Sequence, residues 1–331
     1  MRAHGVCSVP NRAVAIDGGL YSVTRYGKDT MDVGLIGLGR MGANMAQRWV
    51  RGGQRVIGFD SSPDARRTIE IFGAATADSL EALVRTLSPP RAVWLMVPAG
   101  DITERTVFAL LSLLAGGDTV IDGGNSHYKD TLRRAALCAA KHIEYVDAGT
   151  SGGIWGLEQG YSLMLGGAAQ VIERLQPLFA TLAPAADQGW GRVGPVGAGH
   201  FTKMIHNGIE YGLMQADAEG FSMLAHKHDF SLDLRQVAEI WRHGSVVRSW
   251  LLDLTANALS VNPSLAGIAP YVADSGEGRW AVTEAIDLEV PAPIITHAVL
   301  ARLRSRDSAS FADKLLAAMR NQFGGHAIKH D

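Results

Sequence analysis

The stretch "GLIGLGRMGANMAQRWV" (residues 34–50) decides the fold. Its glycines, Gly37, Gly39 and Gly42, stand in the G-x-G-x-x-G spacing, after a β-rich run and at the start of a helical pattern. The next β-rich run ends at Asp60, about 20 residues on, which is the arrangement that binds a dinucleotide. Gly37 permits the tight turn, Gly39 lets backbone approach a pyrophosphate, and Gly42 lets helix and strand pack closely. The helix N-terminus then offers amide donors to the phosphates. Leu38, Arg40 and Met41 within the loop and Val97 at the end of the third β-run complete the cofactor contacts expected of this motif. A carboxylate at Asp60 suits the two ribose hydroxyls of NAD and repels the 2′-phosphate of NADP. Ser61 and Ser62 add no charge, although Arg66 and Arg67 lie a turn into the next helix. NAD is the expected cofactor, with NADP less favoured.

Outward from this motif, "DVGLIGLG", "RVIGFD", "AVWLMVP", "TVIDGG" and "EYVDAG" alternate with helical patterns at 41–52, 64–72, 102–115 and 129–141. Alternating β and α with near-continuous apolar strands predicts a parallel sheet covered on both faces. "YSLMLGG" (161–167) reads as one further strand. The glycine-rich "GWGRVGPVGAG" (189–199) reads as the place where strand chemistry stops. Helical patterns dominate after it, at 200–228, 231–260, 279–289, 292–305 and 307–320. The expected fold is therefore an α/β Rossmann-type dinucleotide-binding domain at 31–197, followed by an all-α domain at 198–331. Residues 1–30 read as an extension or a mis-assigned start, and their broken apolar pattern does not read as a signal peptide.

The chain has 331 residues, a formal net charge of −2 and 47% hydrophobic residues. That balance predicts globular domains and offers no basic footprint for nucleic acid or an anionic membrane. No apolar run is long enough to span a bilayer. Cys7 and Cys138 lie far apart in unrelated contexts, so neither a disulfide nor a metal site is expected and the reducing cytoplasm is the default.

"HFTKMIHNGIEYG" (200–212) carries Lys203, His206, Asn207, Glu210 and Tyr211 at helical spacing on a single face. The opposite side, with Met204, Ile205, Ile209 and Leu213, reads as the buried one. Gly208 and Gly212 read as places where another element packs closely. Four further clusters accompany this helix: "DGGNS" (122–126), "DAGTSGG" (147–153), "GEGRW" (276–280) and "RNQFGGH" (320–326). His226 and His228 read as surface residues at the helix end.

Taken together, these motifs resemble those of decarboxylating 6-phosphogluconate dehydrogenases of the shorter bacterial type, from about Met31 to the C-terminus. The resemblance implies that Ser151, Gly152 and Gly153 hold the substrate carboxylate and that Asn125 contacts both nicotinamide ribose and substrate. It implies Lys203 as general base and Glu210 as general acid, with His206 and Asn207 positioning sugar hydroxyls and Tyr211 binding the phosphate. "GEGRW" resembles the family's G-x-G-K-W-T, with Arg279 in place of lysine and a departure at Ala281, where threonine is usual. "LAR" (300–302) resembles F-A-R and implies Arg302 at the phosphate. Arg320 and His326 match residues that a neighbouring subunit supplies, which implies a homo-oligomer, dimer or tetramer, with shared sites.

The chemistry of that reaction suits these residue types. A neutral lysine can take the proton of a hydroxyl β to a carboxylate, and its ammonium can then polarise the resulting ketone. Loss of CO₂ leaves an enediol that needs a proton on carbon, which Glu210 can deliver if it holds one. Lys203 and Glu210 are roughly 10 Å apart along the helix axis at about 1.5 Å per residue, a span that brackets a sugar acid. No carboxylate or histidine cluster has metal-ligand spacing, so a metal-dependent route is not expected. The nearest rival reading is a β-hydroxyacid dehydrogenase acting on a small unphosphorylated 3-hydroxy acid. It has no use for the second acid or for the arginine set. A non-catalytic nucleotide-binding protein would have no use for Lys203 and Glu210.

Overall fold

The computed structural model describes residues 30–329, so the reading of residues 1–29 lies outside it. From Asp32 to Gly194 the chain alternates strand and helix: β1 (Asp32–Ile36), α1 (Arg40–Arg51), β2 (Arg55–Phe59), α2 (Pro63–Glu70), β3 (Ala75–Thr76), α3 (Leu80–Thr86), β4 (Ala92–Leu95), α4 (Asp101–Leu110), β5 (Thr119–Asp122), α5 (Tyr128–Ala139) and β6 (Glu144–Ser151). A short α6 (Gly156–Gln159), β7 (Ser162–Gly166), α7 (Ala169–Arg174), α8 (Gln176–Leu182) and β8 (Trp190–Gly194) follow. The eight strands form one sheet in the order β3-β2-β1-β4-β5-β6-β7-β8, parallel except where β7 runs against β6. The order reverses between β1 and β4, the switch point at which doubly wound sheets bind ligands.

Central strands β4 and β5 are buried along their whole length, as helices on both faces require. One core layer packs Trp49 against Trp94, ring centroids 5.2 Å apart, and seats Phe179 beside Trp94. The other layer, with Val93, Leu95, Val120 and Leu110, fills the opposite face.

Strand β8 corrects the reading that strand chemistry stops at residue 189. It pairs with β7 at the sheet edge through backbone hydrogen bonds, and its glycines leave no mark of apolar alternation.

The remainder is helical: α9 (Ala198–His226), α10 (Leu234–Trp241), α11 (Trp250–Val261), α12 (Glu277–Asp287), α13 (Pro293–Arg304) and α14 (Phe311–Gly324). The continuous helix read over 231–260 is two helices. Gly244 takes a φ of +76°, and Ser249 caps α11 by accepting the Leu252 amide at 3.1 Å. No helix among the described residues is long and apolar enough to cross a membrane.

The 29-residue α9 is the spine of this region, packing on β6 and β7 on one side and on α12 and α13 on the other. Its polar stripe faces inward, and the side read as buried is so only in part: Met204 is buried and Ile205 half-buried, but Ile209 and Leu213 are not. Lys203, Asn207 and Tyr211 are buried, whereas Ile209 and Leu213 are each 52% exposed. Contact with the sheet on one side and with α12 and α13 on the other turns the polar residues into the space between them. Gly208 is where α12 and α13 close in: a Cβ there would stand 3.0 Å from Ala281 and 3.3 Å from Ile295.

Candidate active site

The first wall is the nucleotide end of the sheet. Gly37 has a φ of +94°, and a Cβ there would lie 2.4 Å from the Met96 carbonyl oxygen. A Cβ at Gly42 would lie 2.0 Å from the Gly37 carbonyl oxygen, so both positions exclude any side chain. Gly39 faces open space instead, leaving a backbone cradle at the start of α1. These are the three roles the glycine spacing assigns, and the cradle fits a pyrophosphate. Arg40 is exposed beside it, and Met41 reaches the adjoining cleft. Val97 packs across Gly37 and Gly124, tying the loop after β4 to the motif. The Leu38 amide donates to Asp60 Oδ2 and the Ser62 amide to Oδ1, each at 2.8 Å. Asp60 is thereby aimed at the loop. Arg66 donates to the Asp60 carbonyl oxygen, and Arg67 pairs with Asp64 at the surface.

The second wall is the junction of β6 and α9. Asp147, fully buried, accepts the amides of Gly197 at 2.7 Å and His200 at 2.8 Å. It thereby caps α9 from the strand end and satisfies amides that helix geometry leaves without a partner. Gly149 and Gly199 let strand and helix touch: a Cβ on Gly149 would fall 2.6 Å from both the Gly199 carbonyl oxygen and the Lys203 Cβ. Lys203 is thus held against β6. Its Nζ stands 3.3 Å from His206 Nδ1, which is 3.3 Å from Asn207 Oδ1 and 3.8 Å from Glu210 Oε2. His206 Nε2 lies 3.3 Å from Ser151 Oγ, joining the helix to the "TSGG" loop. Gly152 and Gly153 in that loop take φ values of +130° and +51°.

Burial lowers the Lys203 amine below the ordinary lysine range, opposed by the nearby carboxylates of Glu210 and Glu277. Burial, and then the charge of Lys203, likewise lower His206. The pair therefore supplies a neutral amine more readily than an exposed lysine does.

The loop carrying Asn125 is held from below. Asp122 accepts from Ser126 Oγ at 2.7 Å, from the Gly124 amide at 3.1 Å and from the Tyr145 hydroxyl at 3.2 Å. Arg134, 1% exposed, donates to Ser126 Oγ and the Gly100 carbonyl oxygen and pairs with Glu104 at 2.9 Å. Asn125 itself stays exposed at the cleft. Asp122, Arg134 and Asp147 were not picked out in the sequence, although two of them open quoted motifs. They look there like ordinary charges, because their partners lie in other elements.

The third wall comes from α12 and α13. Tyr211 is buried, and its hydroxyl has no hydrogen-bond partner among the described residues. The Arg302 guanidinium lies over its ring, 3.6 Å from the centroid. Glu277, at the first turn of α12, is buried and accepts from Ser275 Oγ.

These walls enclose a cleft of 1160 Å³, ample for a small sugar acid beside a nicotinamide. Asn125, Ser151, Gly152, Gly153, Lys203, His206, Asn207, Glu210, Tyr211 and Arg302 all line it. Arg279 does not; it is exposed and pairs with Asp274 at 2.8 Å. Arg320, on α14, and His326, just beyond it, are exposed and outside the cleft. His226 and His228 are exposed, as their sequence context suggested.

Comparison with known proteins places this geometry. A family model described as the NAD binding domain of 6-phosphogluconate dehydrogenase matches residues 32–191, and one described as the 6-phosphogluconate dehydrogenase C-terminal domain matches 199–313. A Haloferax volcanii protein named 6-phosphogluconate dehydrogenase, NAD(+)-dependent, decarboxylating, is 43% identical over 299 residues, covering 90% of this chain and 98% of its own length. The solved Plasmodium falciparum 6-phosphogluconate dehydrogenase is similar with a TM-score of 0.78 and 28% identity, covering 91% of this chain and 66% of that one. A Mycobacterium tuberculosis 3-hydroxyisobutyrate dehydrogenase shares the fold, with a TM-score of 0.69 at 22% identity over 86% of this chain and 96% of that one.

Proposed function

The chain belongs to the 6-phosphogluconate dehydrogenase family, and from that membership and the cleft we propose that it oxidatively decarboxylates 6-phosphogluconate to ribulose 5-phosphate. The observation that carries this reading is the shared cleft of Lys203, Glu210 and Arg302. A base, a second acid and a phosphate-binding cation meet there, and oxidation of a simple hydroxy acid needs only the first. NAD, held by the loop of Gly37, Gly39 and Gly42 and by Asp60, supplies hydride acceptance.

The chain's own groups do the rest. Neutral Lys203 takes the C3 hydroxyl proton as hydride leaves C3. Its ammonium then donates to the new ketone, so that the electron pair of the C1–C2 bond is accepted as CO₂ departs. Glu210 protonates the former C2 of the resulting enediol, which becomes C1 of the pentulose. Ser151, Gly152 and Gly153 take the carboxylate, and Asn125, His206 and Asn207 take the hydroxyls. The phosphate goes to Arg302 and the unpartnered Tyr211 hydroxyl, since arginine matches phosphate geometry.

The Asp60 carboxylate, fixed at the loop by the Leu38 and Ser62 amides, supports a preference for NAD over NADP. Arg320 and His326, outside their own cleft, support a homo-oligomer in which each chain completes its neighbour's phosphate pocket. The exposed Phe311, Leu316 and Met319 on α14 support the same reading. Arg279 joins that pocket once its pair with Asp274 opens.

An assay of 6-phosphogluconate with NAD and with NADP, recording NADH or NADPH and CO₂ together, tests the reading. One CO₂ per reduced cofactor is expected. Reduced cofactor without CO₂ points instead to a β-hydroxyacid dehydrogenase.

A further inference from the structure

Glu277 has no part in the chemistry above, yet it is a carboxylate with 8% of its surface exposed, lining the cleft that holds Lys203. It is placed there by packing. The residue after it, Gly278, sits so close to the Tyr211 ring that a Cβ would fall 2.4 Å from it. This contact presses the first turn of α12 onto the inward face of α9. The Ser275 hydroxyl donates to Glu277 Oε2 and sets its orientation. Buried carboxylates persist only with partners, and the hydrogen bond from Ser275 leaves capacity for a cation.

The charged or titratable groups lining the cleft are few. From α9 come Lys203, His206, Glu210 and Tyr211, from α12 comes Glu277, and from α13 comes Arg302. Elements β6, β7 and α11 line it with uncharged residues. Arg302 is only half-buried and lies over the Tyr211 ring, and Glu210 is half-buried beside His206. Among the described residues, Glu277 is the one buried carboxylate lining the cleft, and Lys203 is its one buried cation.

We propose that Glu277 is a positioning residue for Lys203, a fixed negative charge that holds the ammonium form of the lysine between proton removal and loss of CO₂. This rests on the reading of Lys203 as the base. Without Glu277, only the half-exposed carboxylate of Glu210 offsets the burial of the amine. The lysine then gives up its proton too easily to keep the ketone polarised. With Glu277 the proton taken from the C3 hydroxyl stays on Nζ until the enediol oxygen receives it, so no proton is lost to solvent midway.

The test is Glu277→Gln in the full-length enzyme, with Glu277→Asp as the charge-retaining companion. The Lys203 ε-carbon is followed by NMR across pH, its resonance assigned by its loss in Lys203→Met. In Glu277→Gln the Lys203 midpoint should fall by about one pH unit, the lower end of what a nearby opposite charge exerts. Glu277→Asp should restore most of it, and the acidic limb of kcat/KM should move by the same amount. A folded Glu277→Gln enzyme with an unmoved Lys203 midpoint overturns the proposal. A midpoint that moves while the kcat/KM limb stays put upholds the electrostatic link and instead removes Lys203 as the base.

Discussion

Lys203 and His206, one turn apart on α9, bring Nζ and Nδ1 to 3.3 Å, and burial discourages a positive charge on either. In the proposed mechanism, a base that must start neutral is thus paired with a ring that competes little for protons. The sign follows directly. Below the lysine midpoint the amine is protonated and cannot accept the hydroxyl proton, so kcat/KM should fall on the acid side. That limb should have its midpoint below 10.5, the ordinary lysine value, because burial lowers it. Lys203→Met should abolish NADH and CO₂ formation together, and a pH–rate series on both proteins checks it.

Glu210→Gln should spare hydride transfer and slow carbon protonation. Loss of a general acid is worth about 10²–10⁴-fold in rate. Steady-state turnover should drop by about 10²-fold, while a single-turnover burst of NADH persists. Unchanged turnover, or a burst lost along with it, would remove the acid role.

Arg302→Ala should raise KM for 6-phosphogluconate by about 10–100-fold, the loss of a charge-assisted contact worth about 1.5–3 kcal/mol. Gluconate, which has no phosphate, should be much less affected. Equal effects on both substrates would place the Arg302 contribution in its stacking on Tyr211 instead.

Asp60→Asn retains an oxygen for the Leu38 amide and removes the charge that repels a 2′-phosphate. The ratio of kcat/KM for NADP to that for NAD should rise about tenfold, equivalent to about 1.4 kcal/mol. A ratio that stays put would mean that the groove, rather than the Asp60 charge, sets the preference.

Arg134→Met should destabilise the protein by about 3–5 kcal/mol, since it strands the buried Asp122 and frees the loop of Asn125. Denaturant unfolding measures this. Hydrogen bonds from Arg133, supported by Arg134, hold the Glu104 carboxyl at about 2, below its ordinary 4.5. A depressed carboxylate stabilises above its unfolded value. This contribution should therefore be present above about pH 4.5 and fade as pH falls towards 2, and a Glu104→Gln variant should lack that dependence.

Spacing along the chain carried the nucleotide loop, the five parallel strands and the helix with its polar stripe, because each obeys a rule of local geometry. Three glycines at fixed intervals and five polar residues at helical spacing are legible without neighbours. Packing decided what local rules leave open. The polar stripe of α9 points inward only because β6, β7, α12 and α13 close around it, so Ile209 and Leu213 are left outside. Strand β8 exists through its backbone bonds to β7, which its own residues do not announce. Asp147 and Arg134 act through groups 50 and 30 positions away, and Arg279 turned to Asp274 rather than to the cleft. Residue type and period suffice for elements whose partners lie within a few residues. Charge pairing and burial depend on which distant segments meet, and tertiary structure alone sets that.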